Sequence, residues 1–225
     1  MNKPKTVITG VGVYGVNIAN CLNKQRLDEA DFIDHKQLIK RHSENIFILF
    51  IIYSTEDYCI AIVDEITGLY KNKTVIEIII TDKTQRQNPH YIINNSSAAV
   101  EDVFTLIKAF VDLGRFPTQA SVDMADIVDS LKNSGKLQMK ELIFEANDNC
   151  DVFSQEFSTI KKTKKIKTVW LQLYLQKNKN LLYEVLEKPF DNLQSNLNSE
   201  VGILWNVSYE DQSLDKKNKC VLIFC

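Results

Sequence analysis

Glycine is scarce in this sequence, with seven residues in 225. Proline, at four, and histidine, at three, are scarcer still. So little glycine and proline excludes a collagen-like or low-complexity chain. Neither sign of charge dominates: 27 lysines and arginines face 29 aspartates and glutamates, a formal net charge of -2. Without a basic excess there is no electrostatic ground for a nucleic-acid partner. Cysteine offers no framework either. Cys21, Cys59, Cys150, Cys220 and Cys225 are odd in number, scattered and free of any CxxC spacing. That argues against a metal site and for buried or free thiols in a reducing cytoplasm. His35, His42 and His90 are equally dispersed; His35 and His42 read as surface residues and His90 as the end of a loop at 82–90, and no Ser-His-Asp signature or nucleophile elbow is present. Long apolar runs are missing too. The longest, IFILFIIY at 46–53, is far short of the roughly 20 residues a membrane span needs, and it reads as a fully buried strand. No apolar core follows the N-terminal lysines, so no signal peptide is expected. The expected location is cytoplasmic, with no membrane span.

What is present is ordinary for a soluble globular protein: 44% hydrophobic and 25% charged residues, in a chain long enough for one large or two small domains. The apolar patterning predicts strands at 6–9, 46–53, 74–81 and 91–93, and helices at 15–25 and 55–70. For the second of these helices Ser54 is the expected N-cap, with Gly68 near its end. Residues 26–45 are polar and show no strand pattern. A clear helix covers 97–113, where Val100, Val103, Phe104, Ile107 and Val111 follow the 3.6 period and Gly114 stands at the C-terminal position. A second helix is expected at 123–133 and a strand at 137–146. The basic run KKTKKIK at 161–167 reads as a solvated loop. It leads into a strand at 169–175, a helix at 181–197 interrupted by Pro189, and strands at 201–209 and 220–224. The expected architecture is α/β. Residues 1–95 form a three-layer half around a mostly parallel sheet, residues 96–115 a central helix, and residues 116–225 a smaller α+β domain.

Three of the seven glycines fall in one short stretch, GVGVYGVNIAN at 10–20. It lies between an apolar strand and a helix. Such a turn suits an anion for physical reasons. Without Cβ atoms its backbone N–H groups can approach phosphate oxygens, and the helix N-terminus adds favourable partial charge. Gly10, Gly12 and Gly15 fit G-x-G-x-x-G, but three glycines also suffice for a tight strand-to-helix turn with no ligand. A dinucleotide-binding fold would further require a second strand ending in an acid about 20 residues on. Asp28, Glu29, Asp31 and Asp34 supply acids there, with no strand pattern ahead of them.

A second stretch, PTQASVDMADIV at 117–128, places Asp123 and Asp126 at a helix start. Two carboxylates at i and i+3 share a face and can polarise water or bind a cation. They can equally cap the helix and offset its dipole. Taken together, the two stretches resemble the FtsZ and tubulin family, whose first loop has the form GVGGGGGNAVN and whose later loop has the form PGxINxDFADV. Gly10, Val11, Gly12, Gly15, Asn17, Ala19 or its neighbour, and Asn20 match the first; Pro117, Asp123, Ala125 and Asp126 match the second, with Ser121 at an asparagine position. The resemblance implies a cytoskeletal or cell-division-type protein. It implies binding of GTP or GDP, with magnesium as an accessory ion, hydrolysis of GTP between subunits, and polymerisation with itself or a related filament-forming subunit. Gly10, Gly12, Gly15 and Asn17 would then hold nucleotide, and Asp123 and Asp126 would orient the attacking water.

The family's second glycine box, GGGTGTG, has no counterpart. IYSTEDYC stands in its place, with Ser54 and Thr55 as the remaining candidate phosphate contacts and Glu56 and Asp57 as carboxylates where triphosphate should lie. Tyr14 adds bulk to the first loop, and Glu101 and Asp102 are off register for the family's guanine-contacting acid. Three readings follow: a degenerate member acting through filament-type contacts, a divergent working GTPase, and a nicotinamide-dependent Rossmann oxidoreductase. Two strands within 26–45 would favour the last; a sheet passing directly from the first strand to 46–52 would count against it.

Overall fold

A computed structural model describes residues 5–25, 27, 30–41, 45–81, 90–93, 98–114, 122–132, 134–144, 166–176, 195, 197, 200–210 and 218–225. The chain divides into two compact units, Met1–Val111 with Met124–Leu137, and Asp112–Asp123 with Gln138–Cys225.

The first unit is built on parallel strands β1 (Lys5–Val11), β2 (Ala30–Phe32), β3 (Ile46–Ser54), β4 (Thr74–Ile80) and β5 (His90–Ile93), side by side in the order β2-β1-β3-β4-β5. Parallel sheets are covered on both faces, so their strands read as continuous apolar runs. β3 is the clearest case: Ile46 and Ile48 to Tyr53 are all 1% exposed or less. Helices α2 (His35–Arg41) and α3 (Asp57–Leu69) cover one face, where Leu38, Cys59, Val63 and Ile66 meet Val7, Val11, Leu49, Ile51, Tyr53, Val75 and Ile79. Strand residues of the opposite parity point to the other face. There α1 (Gly12–Lys24) and α4 (Ala99–Leu113) lie, with Phe50 and Phe110 in tilted contact at 6.2 Å between ring centroids. Three layers result. Helix α5 (Met124–Leu131) buries Ile127 and Leu131, and the first residues of β6 (Lys136–Phe144) pair with β5.

Four expectations need correction here. A strand does exist within 26–45. β2 is three half-buried residues held at the sheet edge by β1 and an exposed Lys5–Asp31 ion pair, too short to leave a period. Helix α1 begins at Gly12, not at 15. Ser54 does not cap α3: it ends β3, and Glu56 occupies the N-cap without a side-chain capping bond to the backbone. His90 does not end a loop but opens β5, 5% exposed and beside the fully buried Glu77 in the β4–β5 register. Glu77 in turn accepts a 2.5 Å hydrogen bond from the Tyr53 hydroxyl. Of the other two histidines, His35 is half-buried with its Nδ1 buried and unbonded, and His42 lies outside the described residues. So do the interrupted helix expected at 181–197, apart from Ser195 and Leu197, and most of the basic run.

The second unit carries the rest of β6 with β7 (Thr168–Gln176), β8 (Gly202–Glu210) and β9 (Asn218–Phe224), in the order β6-β9-β7-β8. β9 runs antiparallel to both β6 and β7, while β7 and β8 are parallel. Alternate residues of β7, Val169, Leu171, Leu173 and Leu175, join Leu222 and Phe224 in the core. The opposite parity brings Trp170 and Gln172 to the other face, both fully buried. Asn206, 1% exposed, donates from Nδ2 to the Asp112 carbonyl at 2.7 Å and accepts the Val207 N–H. Asp112 belongs to the last turn of α4, where carbonyls have no partner within the helix. Asn206→Ala should therefore lower the unfolding free energy by about 1–3 kcal/mol, the usual cost of stranding buried polar groups. Urea denaturation measures it, and an unchanged midpoint would show that this tie carries no weight.

Candidate functional site

The glycine turn is formed by the end of β1 and the start of α1, with no residue between Val11 and Gly12. Gly12 has φ 72°, a left-handed conformation that favours glycine. The other two glycines answer to contact, not dihedral. A Cβ on Gly10 would lie 2.3 Å from the Gly15 carbonyl oxygen, and one on Gly15 would lie 2.0 Å from the Ile52 carbonyl oxygen. The backbone of α1 is thus laid directly on β1 and β3. This is the helix–strand approach for which one glycine of such a fingerprint is kept.

Gly12 faces something different. A Cβ there would lie 2.4 Å from Cys59 Sγ and 3.0 Å from the Tyr58 hydroxyl. The first turn of α3 therefore occupies the space beside the residue that should leave its backbone open to phosphate. Cys59 is fully buried. Its thiol donates to Glu56 Oε2 at 3.6 Å and lies 3.8 Å from Ser54 Oγ. The Tyr58 hydroxyl is held protonated well above its ordinary range, first by its hydrogen bond with Cys59 and then by Glu56. Ser54, Glu56, Tyr58 and Cys59 form one local cluster at the N-terminus of α3.

The residues expected to bind nucleotide are thus brought together in part. Gly10, Gly12 and Gly15 sit with Ser54 where β1 and β3 end, and Thr55 follows Ser54, half-buried. Asn17 is exposed on α1, as are Val13 and Tyr14. Glu56 and Asp57 are exposed at the start of α3. Two carboxylates beside a bound triphosphate repel it: unit charges 4 Å apart interact by about 4 kcal/mol at an effective dielectric of 20. Among the described residues no group of three or more His, Cys, Asp or Glu side chains is placed to hold a metal ion that would offset this. These residues do not fit a triphosphate. Asp123 and Asp126 stand elsewhere, at the start of α5. Asp123 directly precedes the helix and is half-buried; Asp126 lies in its first turn and is exposed. Ser121 and Pro117 are outside the described residues.

Sequence reasoning missed Tyr58 and Cys59. The available signal was IYSTEDYC itself, in which a tyrosine and a cysteine follow the two acids and Cys59 stands at i+3 from Glu56.

Solved structures share this fold. An empty FtsZ dimer from M. jannaschii superposes with a TM-score of 0.76 at 12% identity, over 99% of this chain and 88% of that one. TubZ of Bacillus thuringiensis serovar israelensis, in GDP-form protofilaments, gives 0.66 at 9% identity over 100% and 87%. CetZ2 from Haloferax volcanii, as a GTPγS-bound protofilament, gives 0.61 at 10% over 97% and 92%. The chain therefore has a tubulin/FtsZ-like fold. No protein-family model matches the sequence, and no curated protein matches it.

The contacts at the turn give a paired prediction. Gly15→Ala should destabilise the first unit by at least about 1–3 kcal/mol, the cost of overpacking a well-filled core, with or without any nucleotide. Gly68→Ala, where a Cβ meets nothing within 4 Å, should stabilise by up to about 1 kcal/mol through helix propensity. Thermal unfolding of both variants checks this. Equal behaviour would mean that the α1 approach is not tight.

Proposed function

We propose that the protein is a tubulin/FtsZ-like subunit that has lost its triphosphate site and acts through filament-type protein contacts. One observation carries this reading: the space beside Gly12 is filled by Cys59 and Tyr58 of the chain's own α3. A phosphate at that turn would have to displace a buried thiol and a hydrogen-bonded tyrosine, then sit beside Glu56 and Asp57. Gly10 and Gly15 remain because the helix rests on them. Asp123 and Asp126, kept at the start of α5, would then serve a contact surface, with no nucleotide of this chain to act on. The partner is a related filament-forming subunit or a second copy of this chain. No described helix is long and apolar enough to cross a membrane.

The alternative, a divergent GTPase, needs α3 to move. For the dinucleotide reading, β2 followed by Asp34 supplies the strand and acid it required, but the described residues of 26–45 hold one strand, not two, and β1 pairs directly with β3. Calorimetric titration with GTP and GDP, with and without magnesium, separates these readings. The expected result is no heat and no thermal shift at millimolar nucleotide. A dissociation constant in the micromolar range, about -8 kcal/mol, would sink the proposal and make GTP turnover by Asp123→Ala and Asp126→Ala variants the next measurement.

A second outcome concerns assembly. Co-sedimentation with a tubulin/FtsZ-type filament should be insensitive to nucleotide added after assembly, and Asp126→Lys, a charge reversal on an exposed position, should weaken it at least tenfold. Retention of that variant at wild-type level would remove the start of α5 from the contact.

A further inference from the structure

A cavity of about 160 Å³ opens on the flank of α1 that faces β2, away from Cys59 and Tyr58. Its floor is the end of the β1–β2 pair. Ile8 and Phe32 are register partners and share the α1 face of the sheet. Its wall is the stripe Val16, Ala19, Asn20 and Asn23, spaced i, i+3, i+4, i+7 along the helix. Ile33 and Asp34 close the rim. Thr9 also borders it, but strand alternation turns the Thr9 side chain to the opposite face with Val7 and Val11.

The chemistry of this lining is one-sided. Among the described residues Asp34 is the single charged one in it, and no lysine, arginine or histidine of theirs lines it. One Asp34 oxygen, Oδ1, accepts the Lys36 N–H at 2.8 Å as the cap of α2, which fixes the carboxylate at the rim. Asn20 and Asn23 add amide oxygens and N–H groups from exposed positions. The half-buried ring of Phe32 offers a face on which a cation is favourable. An anion finds no countercharge among the described residues here, and an uncharged hydrocarbon leaves the carboxylate and amides without use. We infer that the flank of α1 binds a small organic cation: an ammonium or guanidinium group on a short hydrocarbon stem, the charged head at Asp34 and the stem along Ile8, Val16 and Ala19. The cavity shares Gly10 with the glycine turn but none of Gly12, Tyr58 or Cys59.

The test uses the full chain labelled with nitrogen-15 and 1,4-diaminobutane as probe, with 1-butanol and butyrate as controls. The diamine should shift the backbone signals of Gly10 and Asp34 and the side-chain amides of Asn20 and Asn23, saturably and in the low millimolar range. Neither control should saturate. Asp34→Asn keeps a good helix cap and should weaken the diamine at least tenfold. Asn20→Leu, on an exposed helix position, should weaken it several-fold with α2 untouched. Unchanged affinity in Asp34→Asn, equal binding of 1-butanol, or no saturation by any amine would overturn the proposal. So would saturation of the same signals by a nicotinamide dinucleotide with none by the diamine, which would return Asp34 to the ribose-binding role of a dinucleotide fold.

Discussion

The contact between the backbone of α1 and the carbonyl of Ile52 sets the geometry of the first unit. A helix normally stands off a sheet by the depth of its side chains. Here Gly15 removes that spacer, and Gly10 removes it from the strand side as well. The start of α1 is consequently drawn down to the level of the strand ends. This places Gly12 next to the first turn of α3, although α1 and α3 cover opposite faces of the sheet. Only beyond the strand ends can residues from the two faces meet.

That meeting point explains why the same three glycines support two different functions in principle. The close approach needs Gly10 and Gly15 whatever lies above them. The conformation of Gly12, with φ 72°, is required by the sharp entry into the helix. A phosphate needs one thing more, which is empty space over Gly12 and donors directed into it. The second glycine box of the FtsZ-like pattern would supply that space. The sequence that stands in its place carries Glu56, Tyr58 and Cys59, which put side chains and a carboxylate near Gly12. Packing alone accounts for Gly10 and Gly15, whatever occupies that space.

The fold was legible in the sequence wherever burial wrote a long pattern. β3 and β4 are long apolar runs and α4 is long and periodic, and each was placed from its own residues. The short elements were not legible. β2 has three residues and owes its existence to pairing with β1, a non-local interaction that no window of sequence contains. His90 looked like the end of a loop because one histidine beside a proline carries no period; in the structure it opens β5, next to Glu77 of the neighbouring strand. The glycine turn was found from spacing alone, but the occupant of the space above it was not. That required knowing that residues 58 and 59 return to residue 12, which is a property of the sheet and of no local stretch.

The position of Asp34 shows the same limit from the other side. By sequence it is one of four acids in a polar segment, none distinguishable from the rest. The structure separates it by placing it just past β2, where it caps α2 and ends up on the rim of the α1 flank. Asp31, three residues earlier, is drawn instead to Lys5 on the exposed edge. Two carboxylates of equal intrinsic chemistry thus differ in what they can do, because one is neutralised by a flexible surface lysine and the other is fixed by a backbone N–H beside an aromatic floor. Site chemistry in this chain is decided by which short elements happen to end together, while its fold is decided by the long ones.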